Sequence, residues 1–452
     1  MNACSMQLSE VASVLGAQHQ GADVHFKGVS TDTRHVQPGE LFVALQGERF
    51  DAHEFIADAA ASGAVAAIVS RPVEAALPVV LVEDTQRALG KLAHAWRSRF
   101  DMPVAAVTGS NGKTTVKEMI ASILSVKGQP LVTRGNLNNE IGVPLTLLRM
   151  DESHSHAVIE MGANHIGEIA YLASLAEPDV GLVTNAMSAH LEGFGSLDGV
   201  AQAKGEMFEC LGESATAIVN ADDKYADAWR ERARPARVIS FGIRQVADVS
   251  ADEIEFDPRD WHTCFRMRTQ AGETLVRMPL VGQHNVMNAL AATAACLALG
   301  VSLAEVCDGL ARMENVKGRL RAQPASNGAL LIDDTYNANP SSLQAGLDVL
   351  AMMPGKRYLV LGDMAELGEE AVALHKNVAS QAREAGVQFL YAVGENSRHA
   401  VAAFGVGGQH FSDHESLLSA LRAELNENSV VLIKGSRLMQ MERIVNGLLG
   451  GE

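Results

Sequence analysis

The chain has 452 residues, 47% hydrophobic and 20% charged, with 37 basic against 54 acidic side chains and a formal net charge of −17. That length supports more than one core, and the acidic balance excludes broad binding to nucleic acid or anionic membranes, which needs a basic footprint. Five scattered cysteines without a C-x-x-C pair exclude a disulfide framework and a zinc ribbon and fit a reducing cytosol.

The opening MNACSMQLSEVASVLG has no basic start and no continuous apolar core, so no secretory signal is expected. Residues 1 to about 100 mix short strands and helices. GELFVALQG reads as a strand between turns, and FIADAAASGA as a helix leading into the strand VAAIVS. From Met102 the pattern changes. PVAAVTG is a short β-branched run ending in glycine, as a buried parallel strand would be. Val116, Met119, Ile120, Ile123 and Leu124 then repeat at helical spacing. HAVIEMG and VGLVTNA are further strands of the same kind, and TCFRMRT and ETLVRMPLV extend this region as antiparallel strands. Residues 288–306, NALAATAACLALGVSLAEV, imitate a membrane span. Alanine supplies the length, however, and Gly300 and Ser302 break the far end, which predicts a buried helix ending at Gly300. VKGRLRAQP, 316–324, reads as a linker. Beyond it LLIDDTYN, RYLVLGD, QFLYAVG and VVLIKGS are strands, each followed by a helix. This is an α/β protein of three domains, 1–101, 102–315 and 316–452, the second and third built on parallel sheets.

The strand PVAAVTG runs into TGSNGKTT. The strict nucleotide-loop pattern is not met: only Ser110 and Asn111 separate Gly109 from Gly112, and Val107 stands where the pattern requires glycine. A strand, a glycine turn and a helix opening on Lys-Thr nevertheless form a phosphate cradle. The glycines let the backbone close in, the helix N-terminus attracts anions, Lys113 reaches outer phosphates, and Thr114 offers a hydroxyl to Mg²⁺. The plainer alternative is a capped helix after a tight turn. Glu160, at the exit of the next strand, is placed to reach a metal on the phosphates. Spacing alone does not lift His190 or Lys204 above a structural histidine and a solvated lysine. Asn285 and Asn288 are expected in the first turn of a helix, where they either cap it or meet a purine edge. Asp334, Tyr336, Asn337 and Asn339 form a polar run where a parallel sheet opens.

Taken together, STDTR, LFVALQGERFDAHEF, TGSNGKTTVKEM, GNLNNEIGVPLTLL, IEMGANHIGEI, AHLEGFGS, AKGE, GQHNVMNALAA, DDTYNANPSS, LGDMAELG and IKGSR resemble the Mur ligase family, ATP-dependent enzymes that extend the peptide stem of cell-wall precursors. The short TGxxGKT loop is that family's own form. NLNNEIGVPLTLL, DDTYNANP and GDMAELG point to the member that joins D-alanyl-D-alanine to UDP-N-acetylmuramoyl-tripeptide. The resemblance implies a UDP-binding first domain, a central P-loop ATPase domain and a Rossmann-like third domain. It also implies a cytoplasmic monomer with small-molecule substrates, not inserted in a membrane.

The resemblance further implies that Thr108, Gly109, Ser110, Asn111, Gly112, Lys113, Thr114 and Thr115 bind ATP. Asn285 and Asn288 would contact adenine, with Arg319, Asp334 and Tyr336 reaching the nucleotide from the third domain. Thr114 and Glu160 would hold one Mg²⁺, and His190 with Lys204, carrying a carbamate, a second; Lys113, His190 and Lys204 are the catalytic candidates. Ser30, Thr31, Asp32, Arg34, Phe42, Gly47, Asp51 and His53 fall in the UDP-sugar region, and Asn136, Asn138 and Asn139 near the muramoyl-peptide. Asn337, Asn339, Lys434 and Ser436 are candidates for the incoming dipeptide. Gln46 departs from the lysine common at its position, so one charged contact on the UDP side is in doubt. A competing class is an ATP-binding switch that ligates nothing.

Overall fold

The computed structural model describes residues 4–47, 50–74, 76–187, 191–258 and 260–450. Its largest sheet has nine strands in the spatial order Gly272–Met278, His262–Thr269, Val249–Asp257, Arg237–Gly242, Thr216–Asn220, Val180–Val183, Val104–Thr108, His154–Glu160 and Gln129–Val132. All pairings from Gln129–Val132 across to Val249–Asp257 are parallel, and the last two strands continue the sheet antiparallel. Val104–Thr108 is buried along its whole length, which is why its sequence is an uninterrupted small-apolar run. Ligands collect outside the carboxyl ends of such strands, and Thr108 is the end from which the glycine loop departs.

One face of this sheet is covered by the helices Lys113–Leu124, Gln283–Ala298 and Leu303–Ala311. The alanine-rich helix ends at Ala298, with Gly300 left-handed just beyond it at φ +75°. Among the described residues no helix is long and apolar enough to cross a membrane.

The opposite face shares its apolar core with the N-terminal region. Leu8, Phe26, Leu92 and Trp96 pack in one cluster with Val104, Leu147, Met161 and Leu172. Polar bonds stitch the same boundary. Trp96 Nε1 donates to the Met150 carbonyl at 3.1 Å, and Arg97 Nε to that of Ala176 at 3.0 Å. The N-terminal five-stranded sheet keeps only a small second core of its own around Phe42, Ala52, Ile56 and Val69.

The C-terminal region is a six-stranded sheet in the order Arg321–Pro324, Leu330–Asp334, Ser429–Lys434, Lys356–Gly362, Phe389–Val393 and Gly408–Phe411, parallel except at the first pairing. Two expectations need correction. Four of the nine residues read as a linker form the edge strand Arg321–Pro324, where proline is tolerated because no further strand needs its N–H. Gly408–Phe411 was not anticipated, since GQHF is short, half polar and at the other edge.

The shared core makes a prediction. Trp96→Ala removes a 7%-exposed ring and its hydrogen bond and should cost about 3–5 kcal/mol. A urea titration should show a lower midpoint, with the N-terminal and central regions losing structure together.

Candidate functional site

The loop after Val104–Thr108 is held from the side by the exit of the neighbouring strand. Ser110 N–H donates to the Asn185 carbonyl at 3.0 Å, Asn111 N–H to Asn185 Oδ1 at 3.0 Å, and Thr184 Oγ1 to the Asn111 carbonyl at 2.6 Å. Ser110 Oγ accepts from Met187 N–H and donates to its carbonyl. Gly109 and Gly112 sit at φ +140° and +83°, left-handed conformations that favour glycine. A Cβ on Gly109 would stand 1.9 Å from Thr184 Oγ1, and one on Gly112 2.5 Å from Asn288 Oδ1. The loop is therefore a fixed backbone concavity capped by the N-terminus of Lys113–Leu124, an anion cradle by construction.

Lys113 Nζ donates back to the carbonyls of Gly109 at 2.7 Å and Ser110 at 3.3 Å. Burial pushes its ammonium down, nearby Glu160 draws it back up, and Arg319 adds to the downward push. Glu160 ends the strand His154–Glu160 and is 2% exposed. Asn138 Nδ2 donates to its Oε1 at 2.8 Å, and Thr133 Oγ1 accepts its backbone N–H at 3.0 Å. Its Oε2 is buried with no hydrogen-bond partner. A carboxylate oxygen in that condition suits a cation. Among the described residues no group of three or more His, Cys, Asp or Glu could hold a metal, so an ion here would rely on substrate oxygens, as Mg²⁺ commonly does. Thr114, at the helix start beside Lys113, is half-buried.

Lys204 lies within the helix Leu197–Glu209 and is 1% exposed. Its ammonium sits 5.0 Å over the Phe194 ring and donates to the Ala163 carbonyl at 3.3 Å. Burial, then the charge of Lys113, push it down to about 7. His190 lies outside the described residues.

Beside the loop opens a cleft of about 1180 Å³ shared by the central and C-terminal regions. Asn111, Gly112, Thr115, Asn285 and Asn288 line it from one side, Arg319, Asp334 and Lys434 from the other. Two details correct the sequence reading. Asn288 lies in the second turn of its helix, not the first, and neither asparagine caps it, because Gly282 occupies that position. Instead Asn285 Nδ2 donates to the Val281 carbonyl and Asn288 Nδ2 to Asn285 Oδ1. That frees the remaining amide atoms for a partner in the cleft.

Lys434, expected near the dipeptide, is buried in this cleft with Asp334, to which its Nζ donates, and with the Asn337 carbonyl at 3.0 Å. Burial pushes Asp334 up and Lys434 down, and each partner's charge pulls the other back. Arg319 stacks 4.2 Å over Tyr336. One hydrogen bond ties the loop itself to the C-terminal region: Asn339 Nδ2 donates to Asn111 Oδ1 at 2.8 Å. Asn337, Asn339 and Ser436 line a separate cavity of about 110 Å³, with Leu367 and Arg437.

The N-terminal candidates form a polar patch. Asp32 accepts from Arg34, whose guanidinium holds its carboxyl far below the usual range. Ser30 Oγ donates to the Asp32 carbonyl, and Thr31 is half-buried beside it. Asp51 receives Arg71 at 3.0 Å and pairs with the buried His53, which accepts from Ser70 N–H. Gly47 N–H donates to the Phe50 carbonyl. Phe42 has no exposed surface and belongs to the small apolar core with Val36, Ala52 and Ile56. Of the loop asparagines, Asn136 is exposed, Asn138 is turned onto Glu160, and Asn139 Oδ1 accepts Gly142 N–H at the start of the next helix.

Residues that reasoning from sequence missed are Thr184, Asn185 and His284. The first two end a strand already recognised, but only pairing places them against the loop. His284, half-buried in the cleft wall, has its imidazole pushed down to about 4 by burial and by Lys434, so it is neutral at pH 7. A histidine one residue before Asn285 was the available signal.

The loop geometry sets an expectation for Gly112→Ala. Adding a methyl at φ +83° against Asn288 should lower nucleotide affinity about tenfold or more, read by calorimetry with ADP, while circular dichroism stays unchanged.

Three family models match along the chain: the Mur ligase family, catalytic domain over residues 25–97, the Mur ligase middle domain over 107–296, and the Mur ligase, glutamate ligase domain over 312–437. The chain is 46% identical over 447 residues to the UDP-N-acetylmuramoyl-tripeptide–D-alanyl-D-alanine ligase of Escherichia coli K12, covering 98% of each. Its structure resembles that of MurF from Acinetobacter baumannii, with TM-score 0.94, 37% identity and 100% of both chains covered. It also resembles the MurF ligase of Thermotoga maritima in complex with ADP, with TM-score 0.84, 30% identity and 93% and 97% covered. With three family models matched in order and whole-length likeness to these proteins, the chain belongs to the Mur ligase family.

Proposed function

We propose that this chain is an ATP-dependent amide ligase that joins D-alanyl-D-alanine to UDP-N-acetylmuramoyl-tripeptide, with ADP and phosphate as co-products. The observation that carries this reading is the rigid glycine loop facing a cleft shared by two domains, in a chain 46% identical over 98% of its length to a ligase of that name. A free carboxylate is a poor electrophile, so the reaction runs through its activation. The tripeptide's terminal carboxylate oxygen attacks the γ-phosphorus of ATP, the bond to the β-phosphate oxygen breaks, and ADP leaves. The dipeptide amine then attacks the acyl carbon, a tetrahedral intermediate forms, and phosphate departs as the amide is made.

The chain's residues position these partners and compensate charge, which is most of what phosphoryl transfer requires. The N–H groups at the start of the helix Lys113–Leu124 and the Lys113 ammonium hold the β- and γ-phosphates, those of Ser110 and Asn111 being already given to Asn185. Asn285 and Asn288 meet the adenine edge, while Arg319, Asp334 and Tyr336 face the nucleotide from the C-terminal region. Glu160 and Thr114 hold one Mg²⁺, and Lys204 with His190 a second. When bound, these ions neutralise charge on the triphosphate and the developing acyl phosphate. Glu160 fits this role through its orphaned Oε2. Lys204 fits through an amine pushed down to about 7, since only a neutral amine adds CO₂ to become a carbamate, an oxygen ligand.

Residues 1–101 bind the UDP-sugar through the patch around Asp32, Arg34, Asp51 and His53; residues 102–315 hold ATP; residues 316–452 bring the dipeptide. For that dipeptide the small cavity of Asn337, Asn339 and Ser436 is the better candidate. Lys434 is committed to Asp334. Its place is the cytoplasm, its substrates are small molecules, and all the groups named come from one chain, which acts as a monomer.

Mass spectrometry of a reaction containing UDP-muramoyl-tripeptide, D-alanyl-D-alanine and Mg-ATP should show the pentapeptide product, and Lys113→Ala should cut its rate by about 100-fold or more. Product from a single amino acid but not from the dipeptide would reassign the substrate, and ADP without amide would leave a nucleotide switch.

A further inference from the structure

Lys117 stands one turn beyond Lys113 on the same helix, and its side chain is 1% exposed. Its Nζ donates to the Thr133 carbonyl at 2.9 Å and lies 2.8 Å from Glu118 Oε1 and 3.9 Å from Glu160 Oε2. The last distance is too long for a hydrogen bond, but two buried charges at that range interact strongly. The oxygen concerned is the one with no hydrogen-bond partner. Lys113 acts on the same carboxylate from the loop side. Glu118 offsets part of the Lys117 charge, but it is 38% exposed and screened by water. Glu160 therefore faces two ammonium groups with a single negative charge. A bare divalent cation approaching Oε2 meets a field already compensated, whereas a triphosphate brings the negative charge that reverses the balance.

We propose that Lys117 is a positioning residue that makes metal loading at Glu160 conditional on nucleotide: its ammonium holds the carboxylate in place and repels a cation arriving alone. Apolar filling beneath the helix would be served as well by methionine, so a charge at this depth needs such a reason. The inference rests on the reading of Glu160 as a metal ligand.

The test measures Mn²⁺ affinity of the full-length protein by electron paramagnetic resonance, without and with saturating ADP, for the wild type, Lys117→Met, Lys117→Gln and Glu160→Gln. The wild type should bind Mn²⁺ weakly alone and much more tightly with ADP. Both Lys117 variants should bind Mn²⁺ without ADP about tenfold or more tighter than the wild type, which narrows the ratio between the two conditions. Damage to packing lowers affinity and does not create it. The Lys117→Gln variant keeps a donor for the Thr133 carbonyl, so the comparison survives if the methionine variant does not fold. Unchanged or weaker ADP-free Mn²⁺ binding in a folded Lys117 variant overturns the proposal. Should Glu160→Gln leave Mn²⁺ affinity with ADP untouched, the assignment of Glu160 as ligand fails instead.

Discussion

The hydrogen bonds between the glycine loop and the end of the strand Val180–Val183 are the constraint on which the site depends. A loop rich in glycine is costly to order, and two left-handed glycines would wander without lateral support. Thr184 and Asn185 supply that support through the main chain of Ser110 and Asn111. The phosphate-binding concavity is thus paid for in advance by the parallel register of two neighbouring strands, Val104–Thr108 and Val180–Val183. Ligand binding then orders little new backbone, which is how preorganisation gains affinity.

Around that loop the protein gathers cations against its own overall charge. The chain carries −17, yet Arg319 and Lys434 line the cleft and Lys113, Lys117 and Lys204 lie at or near the loop, three of the five 1% exposed. Burying an ammonium is unfavourable unless a partner offsets it. Some partners are internal, as Asp334 is for Lys434. Others are only partly so: Lys113 rests on carbonyls and Lys204 on a ring and one carbonyl. Such a site answers to a polyanion. Local cations of this kind favour a small charged ligand despite the negative overall charge.

The three regions are joined by different physics. The N-terminal region shares an apolar core with the central sheet, so those two behave as one body. The C-terminal region meets the central one across an open cleft of mixed lining, through contacts such as Asn339 to Asn111 and with Val281, Phe256 and Trp261 packed on its apolar core. A junction interrupted by so large a cleft leaves room for relative motion. The contact therefore couples the position of the C-terminal sheet to the state of the phosphate loop, because Asn111 belongs to both.

Much of this was legible in the sequence. The runs PVAAVTG, HAVIEMG, VGLVTNA and VVLIKGS are strands because a sheet buried on both faces admits only apolar residues, and TGSNGKTT is a loop because glycine permits backbone that other residues resist. The same pattern places Lys113 at the start of the helix after one strand and Glu160 at the end of the next. Edge strands were harder. RAQP and GQHF carry half-polar patterns that a solvated edge tolerates, and nothing local separates them from loops. Some side chains changed meaning on folding: Phe42 turned inward, Asn139 turned onto the backbone N–H of Gly142, and Lys434, a dipeptide candidate, pairs with Asp334, one hundred residues away along the chain. Local pattern determined which segments are strands, helices and turns, because backbone sterics and burial period act over a few residues. Which polar groups face one another, Lys117 on Glu160 or Asn339 on Asn111, was decided only by the packing of distant segments, since such partners are set by distance in space and leave no period in the chain.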